Sequence, residues 1–176
     1  KAIADFMEGK KSDIMMYEMD KPDVLLWAVW CIQQYSRLIG AEAAIEKYGK
    51  LVDKIVSFIL QGKHCNLDVH DNGLLSINGR ERAMTWMNSE INGKPVVPRS
   101  GYVVEINALW YNALMFNAEM LMSTGRSAEA GKYTQQAELT GRTFKEVFLN
   151  EHGYLLDYVD EGYISWSVRP NMLIAS

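Results

Sequence analysis

Between Thr85 and Leu114 the chain gathers Trp86, Asn88, Glu90, Arg99, Glu105, Asn107 and Trp110 in one short stretch, TWMNSEINGKPVVPRSGYVVEINALWYNAL. These residue types suit recognition of a sugar. Aromatic faces stack on pyranose rings, and amides, carboxylates and guanidinium groups bond to hydroxyls. Carboxylates can also transfer protons to a leaving oxygen. The same residues fit a purely structural role as well. Glu105 could be a carboxylate favoured by the positive end of a helix, and the tryptophans could simply fill core.

The elements that must position these groups are legible around them. Pro95 and Pro98 fix φ and lack a backbone donor, so Thr85 to Ser100 reads as an ordered loop. From about Val103 to Ser123 apolar residues recur at helical spacing (Val103, Ile106, Ala108, Leu109, Ala113, Phe116), which predicts a helix with an apolar stripe. Upstream, Lys1 to Lys11 reads as the tail of a short helix with Ala2, Ile3, Phe6 and Met7 on one side, and a loop follows over Ser12 to Pro22. DVLLWAVWCIQQYSRLIG is apolar nearly all round, which predicts a buried helix with Asp23 as N-cap, Cys31 as a free core thiol and Gly40 as the stop. Ala41 to Gln61 is amphipathic and ends at Gly62. The short connection makes these two helices antiparallel neighbours.

Asn66 to Asn78 reads as a small hairpin turning at Asp71-Asn72-Gly73. Downstream of Gly125, Ser127 to Leu149 is a fourth helix, weakened in its middle by Gly141. Glu151-His152-Gly153 is a turn, Tyr154 to Val159 a short strand, and Val168 to Ser176 the opening of a further helix. Helical pairs alternating with hairpins and loops are the grammar of an α/α toroid, so the expected class is all-α, part of an (α/α)6 toroid. A ring of six pairs needs on the order of 400 residues. Residues 1–176 are therefore expected to be an incomplete piece of one toroid domain that continues past at least the C-terminus.

Composition narrows the function classes. A net charge of -4 with no basic block argues against a nucleic-acid partner. No apolar run reaches the roughly 20 residues that span a bilayer. Two cysteines do not make a disulfide framework. His64, Cys65, Asp68, His70 and Asp71 are the only metal-like cluster, and their spacing matches no zinc pattern, so no metal is expected. No phosphate loop and no Gly-x-Ser-x-Gly elbow is present. Nothing in the sequence specifies an oligomeric state.

Three segments carry a family resemblance. Thr85-Trp86-Met87-Asn88, Pro98-Arg99-Ser100-Gly101 and Val104 to Leu114 closely resemble the TWMD, PR.G and VEINALWYNAL segments of the glucosidase domain of bacterial-type glycogen debranching enzymes, the amylo-α-1,6-glucosidases. Asp23 to Trp27 resembles their DA.LW motif, and Arg169-Pro170-Asn171 their RPNQ segment. The resemblance implies a cytoplasmic enzyme without a cofactor that removes the α-1,6-linked glucose left at branch points of glycogen or limit dextrin. It implies that Asp23 binds hydroxyls of the terminal glucose, that Trp27 lines the pocket, and that Arg169 and Glu105 face the site. Trp86, Arg99, Asn107 and Trp110 complete the expected binding set.

Inverting hydrolysis needs a carboxylic acid for the leaving oxygen and a carboxylate for water, about 6.5–9.5 Å apart. The family's acid is the Asp of TWMD, where this chain has Asn88. An amide has no ionisable proton and cannot replace it. The base is expected beyond the RPN segment, outside the chain, which leaves 1–176 alone without activity. Glu105, ahead of Glu90, is then the expected substitute acid. The alternatives are a glucan-binding domain that no longer cleaves, and a related toroid glycosidase with another linkage preference.

Overall fold

The computed structural model describes residues 2–10 and 20–176. The first helix, α1 (Ala2–Met7), lays Ile3, Phe6 and Met7 against the main core. The loop expected from Ser12 lies, up to residue 19, outside the described residues.

Helix α2 (Pro22–Ile39) starts one residue earlier than its sequence suggests. Lys21 is the N-cap, with extended backbone, and Pro22 opens the first turn, where a missing N–H leaves nothing unpaired. Asp23 is therefore not the cap but a buried residue of the first turn. The expectation of burial all round is also corrected. Leu25, Leu26 and Val29 are buried, but Trp30, Tyr35 and Leu38 are exposed, and so is Cys31, which is no core thiol. Only one face of α2 meets its helical neighbours. Gly40 ends it, and α3 (Ala41–Leu60) follows at once, burying Ala44, Val52, Ile55, Val56 and Ile59. The two helices pack as a hairpin.

The expected hairpin forms from β1 (Asp68–Val69) and β2 (Leu75–Ile77), closed by Gly73 N–H donating to the His70 carbonyl at 2.9 Å. The ordered loop contains a second hairpin, β3 (Glu90–Ile91) and β4 (Lys94–Pro95), turning on Asn92 and Gly93 with φ of 52° and 75°. Positive φ at both central residues is the turn geometry that matches strand twist. Strand β5 (Gly101–Val103) then leads directly into α4 (Val104–Ser123). The strand expected from Tyr154 forms only at β6 (Tyr158–Asp160), paired with β7 (Tyr163–Ile164). These pieces are not separate hairpins. They join in one antiparallel sheet of order β1-β2-β5-β6-β7, with Ile77 opposite Gly101 and Tyr102 opposite Val159. Gly101 has φ of 73°, and a Cβ there would sit 2.3 Å from the Val159 carbonyl oxygen, so only glycine lets β5 and β6 approach.

Helix α4 carries more than a stripe. Ile106, Leu109, Trp110, Ala113, Leu114, Phe116 and Leu121 are buried around its circumference, and it packs on α2, α3 and α5. Helix α5 (Ser127–Phe148) is continuous through Gly141, where a Cβ would come within 3.0 Å of the Tyr111 ring. The missing side chain there lets α5 lie close to α4. A short helix, α6 (Asn171–Ile174), starts three residues after Val168. Helices thus dominate, in two hairpins (α2–α3 and α4–α5), with the sheet alongside.

Candidate functional site

The first turn of α4 holds Glu105 with no exposed surface. A buried carboxylate needs partners, and Arg99 supplies them in a two-pronged pair. Its Nη1 donates to Oε1 and its Nη2 to Oε2, the latter at 2.5 Å. Arg99 Nη2 also donates to Asp157 Oδ1 at 2.8 Å, and Nη1 to Thr85 Oγ1 at 3.3 Å. Asp157, equally buried, receives Arg169 Nη1 at Oδ2 (2.8 Å) and Asn171 Nδ2 at Oδ1 (2.7 Å). Asn171 Nδ2 lies 3.1 Å from Met87 Sδ. The loop, α4, the approach to β6 and α6 are thereby tied at one point. Burial works against the charge on Arg99, but the bonds and charges of Glu105 and Asp157 outweigh it and push its pKa up.

Asp23 stands next to this cluster. Burial pushes its pKa up to about 6, and the charge of Glu105 adds to the rise, while the nearby backbone of Trp86 and of Asp23 itself and the charge of Lys21 favour the anion. Arg99 and Arg169 balance Glu105 and Asp157, while Asp23 forms no ion pair among the described residues and has only the charge of Lys21 in its favour. Its carboxyl lies near the Trp86 backbone, so the start of α2 meets the loop of Trp86 and Asn88. The Trp86 ring is 46% exposed, and Asn88 is exposed with no side-chain hydrogen bond to the described residues.

The expected site residues divide. Arg99, Glu105 and Arg169 belong to one arrangement joined through Asp157, with Asp23 beside it and Trp86 and Asn88 on the adjoining loop. Trp27 is half-buried and packs edge-on against Trp30 at 5.6 Å. Glu90 Oε1 accepts from the Ala83 amide at 3.1 Å. Two residues stand apart. Asn107 is wholly buried as a clamp between α4 and β2: its Oδ1 accepts from Leu75 N–H at 2.7 Å, and its Nδ2 donates to the Leu75 and Val103 carbonyls, each at 3.0 Å. No group of it is left for a sugar. Trp110 is a core residue with no exposed surface. Asp157 and Asn171 are what the sequence reading missed as members of the cluster. Asp157 looked like the polar position of an alternating strand.

Of the metal-like residues, His64 is buried between Phe6 and Phe58, with ring centroids at 5.6 and 6.4 Å, and His70 bonds Ser76 Oγ at 2.8 Å. Among the described residues no three His, Cys, Asp or Glu side chains are grouped to hold a metal ion, and no helix is long and apolar enough to cross a membrane.

The arrangement offers an exposed aromatic face, an uncommitted amide and a nearly buried carboxyl whose pKa burial raises. A family model described as amylo-alpha-1,6-glucosidase matches residues 13–176. Neither a curated protein nor a solved structure matches the chain.

Proposed function

We propose, starting from the fact that this chain belongs to the amylo-alpha-1,6-glucosidase family, that its site recognises an α-1,6-linked glucose at a branch point of glycogen or limit dextrin. The observation that carries this reading is the position of the buried Asp23 carboxyl near the Trp86 backbone, which sets a hydroxyl-binding group beside the loop of an exposed aromatic ring and Asn88. In this reading Trp86 stacks on the terminal ring and Asp23 bonds its hydroxyls. Asn88 lies at the glycosidic oxygen, where it donates a hydrogen bond but no proton. The two helical hairpins belong to one α/α toroid, and the hydrolysis is inverting, with an acid and a base on opposite sides of the bond.

Glu105 does not fit the role of substitute acid. Both of its oxygens are engaged by Arg99, and it has no exposed surface from which to reach a substrate. Its role here is to anchor Arg99 and, through Asp157, the position of Arg169. The acid position is then left to Asn88, which also supports a second reading, a domain that binds glucan with little cleavage.

Glucose release from limit dextrin by the full-length protein, its Asn88→Asp variant and its Glu105→Gln variant tests this. General acid catalysis contributes on the order of 10² to 10⁴, and Asn88→Asp is expected to gain a rate of that order. Fast release by the wild type that Asn88→Asp does not raise, but that a folded Glu105→Gln loses, would return the acid to Glu105. Absence of both release and limit-dextrin binding in all three would remove the family-based function.

A further inference from the structure

Asparagine followed by glycine is a place where a chain modifies itself without an enzyme, because the glycine nitrogen has no Cβ beside it to shield attack on the asparagine side-chain carbonyl. Three such pairs occur here, Asn72-Gly73, Asn78-Gly79 and Asn92-Gly93. The fold treats them differently. Asn72 is half-buried, and both ends of its amide are tied: Oδ1 accepts from the Leu74 amide at 3.0 Å and Nδ2 donates to the Tyr102 hydroxyl at 3.2 Å. The nitrogen that would attack it is engaged as well, since Gly73 N–H donates to the His70 carbonyl at 2.9 Å. Asn78 turns its Oδ1 back to the Arg80 amide at 3.3 Å, and Gly79 is buried, with a Cβ position only 1.9 Å from the Arg99 carbonyl oxygen. That backbone has no room to swing.

The third pair is open. Asn92 and Gly93 are both exposed, and nothing lies within 4 Å of the Gly93 Cβ position. Among the described residues neither the Asn92 side chain nor the Gly93 N–H has a hydrogen-bond partner. Their turn closes a ribbon of two residues per strand that stands apart from the five-stranded sheet. A ribbon that short opens locally at little cost.

We propose that Asn92 is a site of spontaneous modification, deamidating through a cyclic imide to aspartate and isoaspartate. The Gly93 nitrogen bonds to Asn92 Cγ, the Cγ–Nδ2 bond breaks, and the side-chain nitrogen leaves as ammonia, its extra proton coming from Gly93 N–H through solvent base. Water then opens the ring. Cleavage at Cγ gives aspartate; cleavage at the main-chain carbonyl gives isoaspartate, with the backbone rerouted through Cβ and Cγ. One water enters and one ammonia leaves, with no oxidation or reduction. Isoaspartate adds a methylene to the main chain at a turn whose central residues hold φ of 52° and 75°. The pairing of Ile91 with Lys94 and of Glu90 with Pro95 depends on that turn, as does the Val96 N–H bond to the Ser89 carbonyl at 2.9 Å. Ser89 adjoins Asn88, so the modification loosens the loop of Trp86 and Asn88. The chemistry is the same whatever ligand that loop binds.

Peptide mapping by mass spectrometry tests it, on the full-length protein aged at mildly alkaline pH both folded and in guanidinium chloride. Unfolded, the three pairs are expected to react alike. Folded, Asn92 keeps most of its unfolded rate, while Asn72, with three hydrogen bonds to break at roughly fivefold each, slows about a hundredfold. Asn78 slows as well. Gly93→Ala, which sets a Cβ beside the attacking nitrogen, is expected to slow Asn92 several-fold in both states. In the isoaspartate fraction, hydrogen exchange at the Val96 amide is expected to quicken by about fivefold, the protection of one hydrogen bond. A folded protein in which Asn92 reacts no faster than Asn72 and Asn78, or after Asn88, would overturn the site. An unslowed Gly93→Ala would overturn the cyclic route, and unchanged exchange at Val96 would overturn the coupling to the loop.

Discussion

Asp157→Ala probes the cluster that holds the site together. The side chain is fully buried, and its two oxygens serve three donors: Arg99 Nη2 at 2.8 Å, Arg169 Nη1 at 2.8 Å and Asn171 Nδ2 at 2.7 Å. A hydrogen bond to a charged group contributes about 1.5–3 kcal/mol, so simple addition would give an implausibly large total. Two features reduce it. Arg99 keeps Glu105, and the Arg169 side chain, 22% exposed, reaches water. The expected loss is the cost of breaking a buried ion pair from one side, about 3–5 kcal/mol. Set against a total stability of about 5–15 kcal/mol, that is a large share. For a chain of this size it lowers Tm by roughly 6–20 °C. Urea unfolding and thermal melting followed by circular dichroism measure both. Asp157→Asn, which keeps the shape and one acceptor, should fall between wild type and Asp157→Ala. Glu129→Gln, which breaks an exposed pair with Arg126, should leave the midpoint nearly unmoved. An Asp157→Ala protein within about 1 kcal/mol of wild type would refute the cluster as a structural keystone.

The remaining predictions concern pH and the α4–β2 clamp. Asp23 has a folded pKa of about 6 against an ordinary 3.8, so the folded state binds the extra proton between those values and stability falls as pH rises through that window, by roughly 3 kcal/mol at 1.36 kcal/mol per decade. His64 acts oppositely: burial lowers its pKa to about 4 from 6.5, so its contribution is present above 6.5 and is lost as pH falls toward 4. Asp23→Asn should therefore gain stability relative to wild type as pH goes from 4 to 6, and His64→Phe should gain it in the other direction; urea midpoints that shift in parallel at every pH would contradict both. Asn107→Ala should cost about 2–3 kcal/mol in urea unfolding, because it strands the buried Leu75 amide and carbonyl. A loss under 0.5 kcal/mol would mean the clamp is incidental.

What the sequence reveals here follows the range of the forces involved. Helices α2 to α5 are legible because their periodicity and their glycine stops act within a few residues. The β1–β2 hairpin is legible for the same reason, from Asp71-Asn72-Gly73. Asn92-Gly93 carries an equally strong turn signal, yet Pro95 pulled the reading of that segment toward loop; Pro95 is accommodated because it sits in a two-stranded ribbon. The five-stranded sheet is not legible, since strands of two or three residues pair across long separations. The same limit applies to the site. Residue types on the loop suggested Arg99 and the family resemblance suggested Asp23; the structure sets Asp23 near Trp86 and Glu105, and pairs Arg99 with that same Glu105. Burial decides between a polar residue that contacts ligand and one that serves the backbone, and one helix turn shows both problems. Glu105 and Asn107 sit two positions apart in similar sequence surroundings, and both turn inward, one to an arginine and one to β2. Asp157 gave no local signal because Arg99 lies 58 residues before it and Arg169 and Asn171 lie 12 and 14 residues after it, all beyond one turn or strand.

The central claim is that Asn88 occupies the proton-donor position of an inverting α-glucosidase site. Proton NMR of the first glucose released from limit dextrin by the full-length Asn88→Asp protein tests it most directly, because the anomer is read before it mutarotates. The account predicts β-glucose, released faster than by the wild type. Release of α-glucose, or of no glucose while limit dextrin is still bound, would contradict it.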